Sequence, residues 1–300
     1  MRKIFVALTL LLLLPSAAFA KGGVVTSADI RASEAGREIL RAGGSAVDAE
    51  MAMMLALTVV EPQSSGIGGG GFLVYTDAKS GKIATIDGRE TAPRSARTDR
   101  FMGADGKPMA FVDAFPGGKS VGVPGNIALM AAAHKKWGKL KWAQLFTPAI
   151  KLAEDGFVIS PRLAATLSMM KGLWAGFDAT QALYWKDGVP KRAGETMRNP
   201  ALASVLRAIA RDGAKAFYSG DNANAIQTAT TGAARNPATV SLEDLARYTA
   251  KERPALCGTY RIYKVCGMGP PSSGGTTILQ MLGMIERFDM KKMGKDDPHS

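Results

Sequence analysis

The sequence has 300 residues and a formal net charge of +12, with 46% hydrophobic and 21% charged residues. These fractions are those of an ordinary globular protein, and the length allows one large domain or two small ones. The lysines and arginines are scattered, without a basic stripe interleaved with aromatic residues, so we expect no nucleic-acid partner. The two histidines, His134 and His299, are isolated in the sequence, which disfavours a zinc or iron site. We therefore expect no metal and no other cofactor.

Residues 1–20 have the pattern of a secretory signal peptide. Arg2 and Lys3 precede an apolar run over residues 4–14, and residues 18–20 (Ala-Phe-Ala) form a cleavage site of the small-x-small type. This segment is too short to span a bilayer comfortably, and no other segment has the length of a transmembrane helix. We therefore expect a periplasmic or secreted protein whose mature form has no membrane span.

The first part of the mature chain predicts a strand followed by two helices. The strand is expected over residues 23–27, and the first helix over residues 33–42. Ser45 is the expected N-cap of the second helix, over residues 46–60, with Asp48 as its capping-box partner. Because that helix is apolar on nearly all sides, we expect it to be buried. Glu50, its exception, is expected at a solvent-facing edge.

A glycine run follows the second helix. Residues 66–71 read Gly-Ile-Gly-Gly-Gly-Gly and precede two predicted strands, over residues 72–76 and 83–87. A dinucleotide site needs the order strand, glycine loop, helix, whereas this chain has helix, glycine loop, strand. The run therefore predicts close backbone approach or positive φ angles rather than phosphate binding. Charged residues from Asp87 to Glu90 end the second strand and indicate a wall of an active site.

The remainder of the chain is predicted to be mainly helical. Residues 92–124 lack periodicity, as do many loops that border a site. Helices are expected over residues 126–137, 142–155, 161–171, 200–212, 221–231, 242–247 and 276–287. Because the strands cluster near the two ends, the pattern favours a layered α/β or α+β fold with helices packed on sheet.

The two cysteines, Cys257 and Cys266, lie in strand-like sequence on either side of Arg261 and Ile262. If those two residues form a hairpin turn, the cysteines are directly opposed. A disulfide is then favoured for an exported protein, although two free thiols remain the alternative.

Five segments resemble the γ-glutamyltranspeptidases, also called glutathione hydrolases. They occur in family order and cover nearly all of the mature chain: ASEAGREILRAGGSAVDA (residues 32–49), VVEPQSSGIGGGGF (59–72), DGRETAP (87–93), VGVPG (121–125) and PPSSGG (270–275). The resemblance implies an N-terminal-nucleophile hydrolase fold with four αββα layers. It also implies a precursor that cuts itself into a large and a small subunit. Residues 21–300 then correspond to a large-subunit domain, apparently incomplete at its C-terminus, whose partner is its own small subunit.

In this family the nucleophile is a threonine exposed as a new N-terminus, and it forms an acyl-enzyme that water or an acceptor amine resolves. The family's cleavage motif does not occur in residues 1–300, and the Thr pairs at 230–231 and 276–277 lack its surroundings. The resemblance therefore places the nucleophile beyond Ser300 and no catalytic residue within this chain. It implies glutathione and other γ-glutamyl amides as small-molecule substrates.

One functional residue can be transferred from the family. Arg89, in the DGRETAP segment, matches the arginine that binds the α-carboxylate of the glutamyl group. A guanidinium offers two parallel donors that match a carboxylate. The alternative is a surface arginine or one paired with Glu90, which is our expectation for Arg94, Arg97 and Arg100.

Other functions remain open. A related enzyme could act on another acyl substrate, such as a β-lactam side chain or poly-γ-glutamate. A non-catalytic binding module is the alternative of a different class. The downstream reading frame decides between enzyme and module, because only the enzyme needs an in-frame Thr-Thr cleavage motif.

Overall fold

The computed structural model describes residues 22–293. The predicted signal peptide and residues 294–300 lie outside this range. None of the helices within it is long and apolar enough to cross a bilayer.

The described residues form helices packed around one small sheet, with three separate two-stranded antiparallel pairs. The helices are α1 (Ile30–Arg41), α2 (Ala46–Val60), α3 (Phe111–Ala114), α4 (Asn126–Trp137), α5 (Thr147–Asp155), α6 (Pro161–Met169), α7 (Lys171–Trp174), α8 (Asp178–Tyr184), α9 (Pro200–Asp212), α10 (Lys215–Tyr218), α11 (Gly220–Thr231), α12 (Leu242–Ala246) and α13 (Gly274–Ile285). The strands are β1 (Gly71–Thr76), β2 (Ile83–Gly88), β3 (Phe157–Val158), β4 (Trp185–Lys186), β5 (Val189–Pro190), β6 (Thr196–Met197), β7 (Lys251–Arg253), β8 (Leu256–Tyr260) and β9 (Tyr263–Gly267).

The N-terminal segment differs from its prediction. Residues 23–27 form no strand, and α1 begins at Ile30, three residues earlier than expected. The reason is Asp29, whose carboxylate accepts the Arg31 N–H at 2.9 Å and so caps the helix. No strand among residues 22–293 pairs with the segment that precedes this helix.

Helix α2 lies at the centre of the hydrophobic core. Its predicted bounds and its capping box between Ser45 and Asp48 are confirmed. Buried side chains on several of its faces, including Met51, Leu55 and Val59, pack against α1, α4 and α5. Glu50 is partly exposed, as a position at the edge of the helix allows, and desolvation raises the pKa of its carboxyl group.

The main sheet has the antiparallel order β1-β2-β7. The predicted hairpin of β1 and β2 is confirmed, with Gly71 opposite Gly88. Strand β7 was not predicted, because its sequence Lys-Glu-Arg has neither apolar alternation nor β-branched residues. It pairs with β2 through the register Thr85 to Arg253 and covers what would otherwise be an open edge.

Several predicted helices are confirmed with shifted ends. Helices α4 and α9 have the expected bounds, whereas residues 142–155 divide into the 3₁₀ segment Trp142–Phe146 and α5. Helix α13 begins two residues earlier than predicted, at Gly274. The short pairs β3-β6 and β4-β5 were missed, since two-residue strands leave no periodic pattern.

The cysteine hairpin has the predicted register. Residues Arg261 and Ile262 form the turn between β8 and β9, and Cys257 lies directly opposite Cys266. The structure joins the two sulfurs in a disulfide, and helix α13 packs against β8.

One buried carboxylate links α2 to the segment after α4. Asp48 is fully buried, and its Oδ2 accepts the backbone N–H groups of Ser45, Lys139 and Leu140 at 2.8, 2.9 and 3.2 Å. It therefore satisfies donors from two parts of the chain that are about ninety residues apart.

We expect Asp48→Ala to lower the free energy of unfolding by about 2–4 kcal/mol, since it leaves three backbone donors without their acceptor. Ser45→Ala is the matched control, because it removes the other half of the capping box and should cost only about 1 kcal/mol. Urea-induced unfolding of both variants gives the comparison. Equal losses would contradict a role for Asp48 beyond the helix cap.

A second prediction concerns the cysteines. Protein produced in an oxidising compartment should show no titratable thiols under denaturing, non-reducing conditions, and two after reduction. In the chain-entropy model a loop this short stabilises the fold by about 2–3 kcal/mol. Two titratable thiols before reduction would instead establish a pair of free cysteines.

Candidate functional site

The residue after β2 is Arg89, and its main chain is held from two directions. Its N–H donates to Asp87 Oδ1 at 2.9 Å, and its carbonyl accepts the Tyr248 hydroxyl at 2.7 Å. Asp87 is itself 6% exposed, and its other oxygen accepts from Arg253 Nε at 2.7 Å. The end of β2 is therefore fixed by charged and polar groups from the chain around β7.

The guanidinium of Arg89 is partly occupied by its neighbour. Its Nε lies 3.1 Å from Glu90 Oε2, and its Cζ lies 6.0 Å from the centre of the Phe72 ring. The side chain is 57% exposed. The alternative expectation, an arginine paired with Glu90, therefore holds for the Nε atom of Arg89. Within the described residues, Nη1 and Nη2 have no hydrogen-bond partner, so one edge of the guanidinium is open to a ligand.

The glycine run lies beneath Glu90. None of its five glycines has a positive φ in the described structure, so that part of the expectation was wrong. Close approach is the reason for glycine at position 70, where a Cβ would lie 2.6 Å from both Glu90 Oε2 and the Gly88 carbonyl oxygen. Any larger residue at this position would displace the Glu90 carboxylate or the end of β2.

The same run is bonded to the start of α4. The Gly69 carbonyl accepts from the N–H groups of Gly125 and Asn126 at 2.9 and 3.1 Å, and Asn126 Nδ2 donates to the Gly66 carbonyl at 2.6 Å. A Cβ at Gly125 would lie 2.1 Å from the Gly88 carbonyl oxygen. The glycine run, the end of β2 and the segment before α4 therefore meet at backbone distance.

Two tyrosines pack beside this junction. The rings of Tyr218 and Tyr248 are parallel, with centroids 5.9 Å apart and an interplanar angle of 3°. The Tyr218 hydroxyl donates to the Pro124 carbonyl at 3.0 Å and accepts the Ala128 N–H at 3.1 Å. A cavity of about 500 Å³ with mainly apolar walls opens next to the pair.

The other arginines of this region have structural contacts, as expected. Arg94 and Arg97 form ion pairs with Glu243 and Asp99, and Arg100 Nε donates to the Lys119 carbonyl. Arg94 and Arg97 are exposed, whereas Arg100 is partly buried. Arg97 shares with Arg89 an Nε paired with a nearby carboxylate, so the position of Arg89 at the end of β2, and not its ion pair, sets it apart.

The two Thr pairs lie inside helices α11 and α13. The Thr230 hydroxyl is used within its helix, where it donates to the Ile226 carbonyl at 3.0 Å. Among residues 22–293, no group of three or more His, Cys, Asp or Glu side chains is arranged to hold a metal ion.

Sequence reasoning assigned Arg89 but missed the residues that hold it. Tyr248 and Arg253 are about 160 positions away, and no local pattern connects them to the DGRETAP segment. Asp87 was noted only as part of a charged run. Its position on an otherwise apolar strand could have indicated that Asp87 is bonded to other side chains, because a buried carboxylate requires partners.

Comparison with known proteins shows the family to which the chain belongs. The model of the family described as Gamma-glutamyltranspeptidase matches residues 32–300. The chain is 39% identical over 276 residues to the glutathione hydrolase proenzyme of Escherichia coli (strain K12), covering 92% of this chain and 47% of that protein. It is 36% identical over 279 residues to the Acylase ACY 1 proenzyme of Pseudomonas sp. (strain SE83), covering 91% of this chain and 49% of that protein.

A solved structure is similar over the same region. The crystal structure of Helicobacter pylori γ-glutamyltranspeptidase superposes with a TM-score of 0.86 and 37% sequence identity, covering 91% of this chain and 77% of that one. The chain spans about half the length of the curated relatives it matches. From the family match and this structural similarity together, the chain belongs to the γ-glutamyltranspeptidase family and has its N-terminal-nucleophile hydrolase fold.

Proposed function

We propose that this chain is the large-subunit portion of a hydrolase and transferase that acts on glutathione and other γ-glutamyl amides. The whole protein uses an N-terminal threonine, which is located beyond Ser300 and exposed by self-cleavage. Attack of its hydroxyl on the γ-amide releases the amine and leaves a γ-glutamyl ester on the threonine. Water or an acceptor amine then attacks that ester and restores the threonine.

The observation that carries the proposal is the open edge of Arg89. With Nε directed to Glu90, the two terminal nitrogens can donate to a carboxylate in the bidentate geometry that arginine favours. The hydrogen bonds on its N–H and carbonyl fix the main chain from which the side chain extends, and the ion pair with Glu90 orients the guanidinium. This arrangement suits the α-carboxylate of a glutamyl group.

The remaining parts of the proposal follow from the family. Residues 21–300 form the large-subunit domain, and its partner is the small subunit released by self-cleavage. The expected signal peptide directs the protein to the periplasm or outside the cell. The similar glutathione hydrolase and acylase are both named as proenzymes, which supports maturation by cleavage.

A second candidate function is acyl-amide hydrolysis on another substrate. The identity to the Acylase ACY 1 proenzyme is 36%, against 39% for the glutathione hydrolase proenzyme, so sequence similarity separates the two weakly. Assay of the whole proenzyme on a γ-glutamyl anilide and on a β-lactam with an acyl side chain distinguishes them. Turnover of the β-lactam alone would replace the leading proposal.

In the full-length enzyme we expect Arg89→Ala to lower kcat/KM on a γ-glutamyl anilide by about 30- to 1,000-fold. This corresponds to ~2–4 kcal/mol for a charge-assisted bidentate contact, allowing for the partial exposure of the side chain. Arg89→Lys should fall in between, because it keeps the charge but loses the second donor. The measurement is steady-state kinetics on each purified variant.

Arg97→Ala is the matched control, since Arg97 is an exposed arginine of the same region and pairs with Asp99. Its kinetics should equal those of the parent enzyme. Subunit cleavage, followed on a gel, should proceed in all variants because that step needs no bound glutamate. A fully processed Arg89→Ala enzyme within about threefold of the parent would remove Arg89 from the substrate site.

Residues 21–300 by themselves should neither cleave themselves nor hydrolyse a γ-glutamyl anilide, because the proposed nucleophile is not among them. The full-length proenzyme, purified in parallel, is the positive control. Activity that copurifies with the isolated segment through several columns would overturn the location of the nucleophile.

A further inference from the structure

The carbonyl of Arg89 depends on a single side chain. Within the described residues, its hydrogen bond comes from the Tyr248 hydroxyl at 2.7 Å and from no other group. The backbone is paired again only at Thr91, which bridges to Val123. Arg89 thus lies between the end of β2 and this bridge, and the Tyr248 contact is what restrains the peptide group in between.

Tyr248 is itself held rigidly enough to impose that restraint. Its ring stacks on Tyr218, whose hydroxyl is bonded to both Pro124 and the first turn of α4. Its own hydroxyl lies so close to Gly125 that a Cβ there would be 2.1 Å away. Stacking fixes the plane of the ring, and the contact with Gly125 fixes the depth of the oxygen.

The Tyr248 hydroxyl remains a donor under all ordinary conditions. Burial raises the pKa of Tyr248 to about 12, and the nearby charges of Asp87 and Glu90 act in the same direction. The neutral phenol is therefore the form present at neutral and mildly alkaline pH, so its hydrogen bond to the Arg89 carbonyl is retained there.

We propose that Tyr248 is a positioning residue for substrate binding, which fixes the main chain of Arg89 so that its guanidinium edge meets the substrate carboxylate. This inference rests on the proposed function of Arg89. Tyr248 makes no contact with substrate in this role. Its hydroxyl acts only through Arg89, and it should therefore affect KM far more than kcat.

The test uses Tyr248→Phe in the full-length proenzyme. This change removes one oxygen and keeps the ring that stacks on Tyr218. We expect KM for a γ-glutamyl anilide to rise about three- to tenfold, the loss associated with one hydrogen bond between neutral groups, with kcat within about twofold. Tyr184→Phe is the matched control, because it deletes a phenol oxygen in α8 and should leave both constants unchanged.

A double-mutant cycle separates positioning from a general structural effect. In the Arg89→Ala background there is no guanidinium to position, so Tyr248→Phe should change kcat/KM by less than about 1.5-fold. Processing on a gel and thermal unfolding are measured on the same preparations. A variant that is less stable but has the parent KM would overturn the proposal.

The remaining outcomes of the cycle also test the role proposed for Tyr248. An equal loss from Tyr248→Phe in both backgrounds would overturn the proposal, because the hydroxyl would then act independently of Arg89. No change in KM for the single variant would do the same. Both results leave the proposed function intact if Arg89→Ala is itself impaired. An unimpaired Arg89→Ala enzyme instead removes the proposed function and this inference together.

Discussion

The candidate site depends on a steric constraint, namely that three backbone segments approach to distances that exclude a Cβ atom. At Gly125 that atom would lie 2.1 Å from the Gly88 carbonyl oxygen, and at Gly88 it would lie 2.4 Å from Leu129 Cβ. At Gly70 it would meet Glu90 and Gly88 at 2.6 Å. Because these glycines are bare, the end of β2 lies directly on the start of α4 and on the glycine run. The rigid core around α2 supports all three.

This close packing determines the electrostatics of Arg89. The buried Asp87 is neutralised by Arg253, and the Glu90 carboxylate, packed on the glycine run, takes one side of the neighbouring guanidinium. Among residues 22–293, the two terminal nitrogens of Arg89 have no partner, and they lie just beyond the end of β2. The two ion pairs therefore have different roles. The pair of Asp87 and Arg253 is largely buried and structural, whereas the pair of Arg89 and Glu90 is half-exposed and leaves room for an anion.

The sequence predicted most of what depends on local pattern. The capping box of Ser45 and Asp48, the β1-β2 hairpin, the bounds of α4 and α9 and the register of the cysteines all follow from residues close together in the chain. The failures have a common cause. Strand β7 and the anchors of Arg89 depend on contacts between distant segments, for which a short charged sequence such as Lys-Glu-Arg carries no signal. The motif resemblance proposed Arg89, whereas its contact with Tyr248 is visible only in the structure.

The pairing of β2 with β7 has a consequence for how the chain folds. The Thr85 hydroxyl bonds to the Arg253 carbonyl across 168 residues. Because strands that are far apart in the chain pair slowly, β2 has an unpaired edge for part of the folding process. During that interval its edge exposes unpaired N–H and carbonyl groups of the kind that recruit strands from other chains. A partly folded chain is therefore open to association with other chains through this edge until β7 has paired with β2.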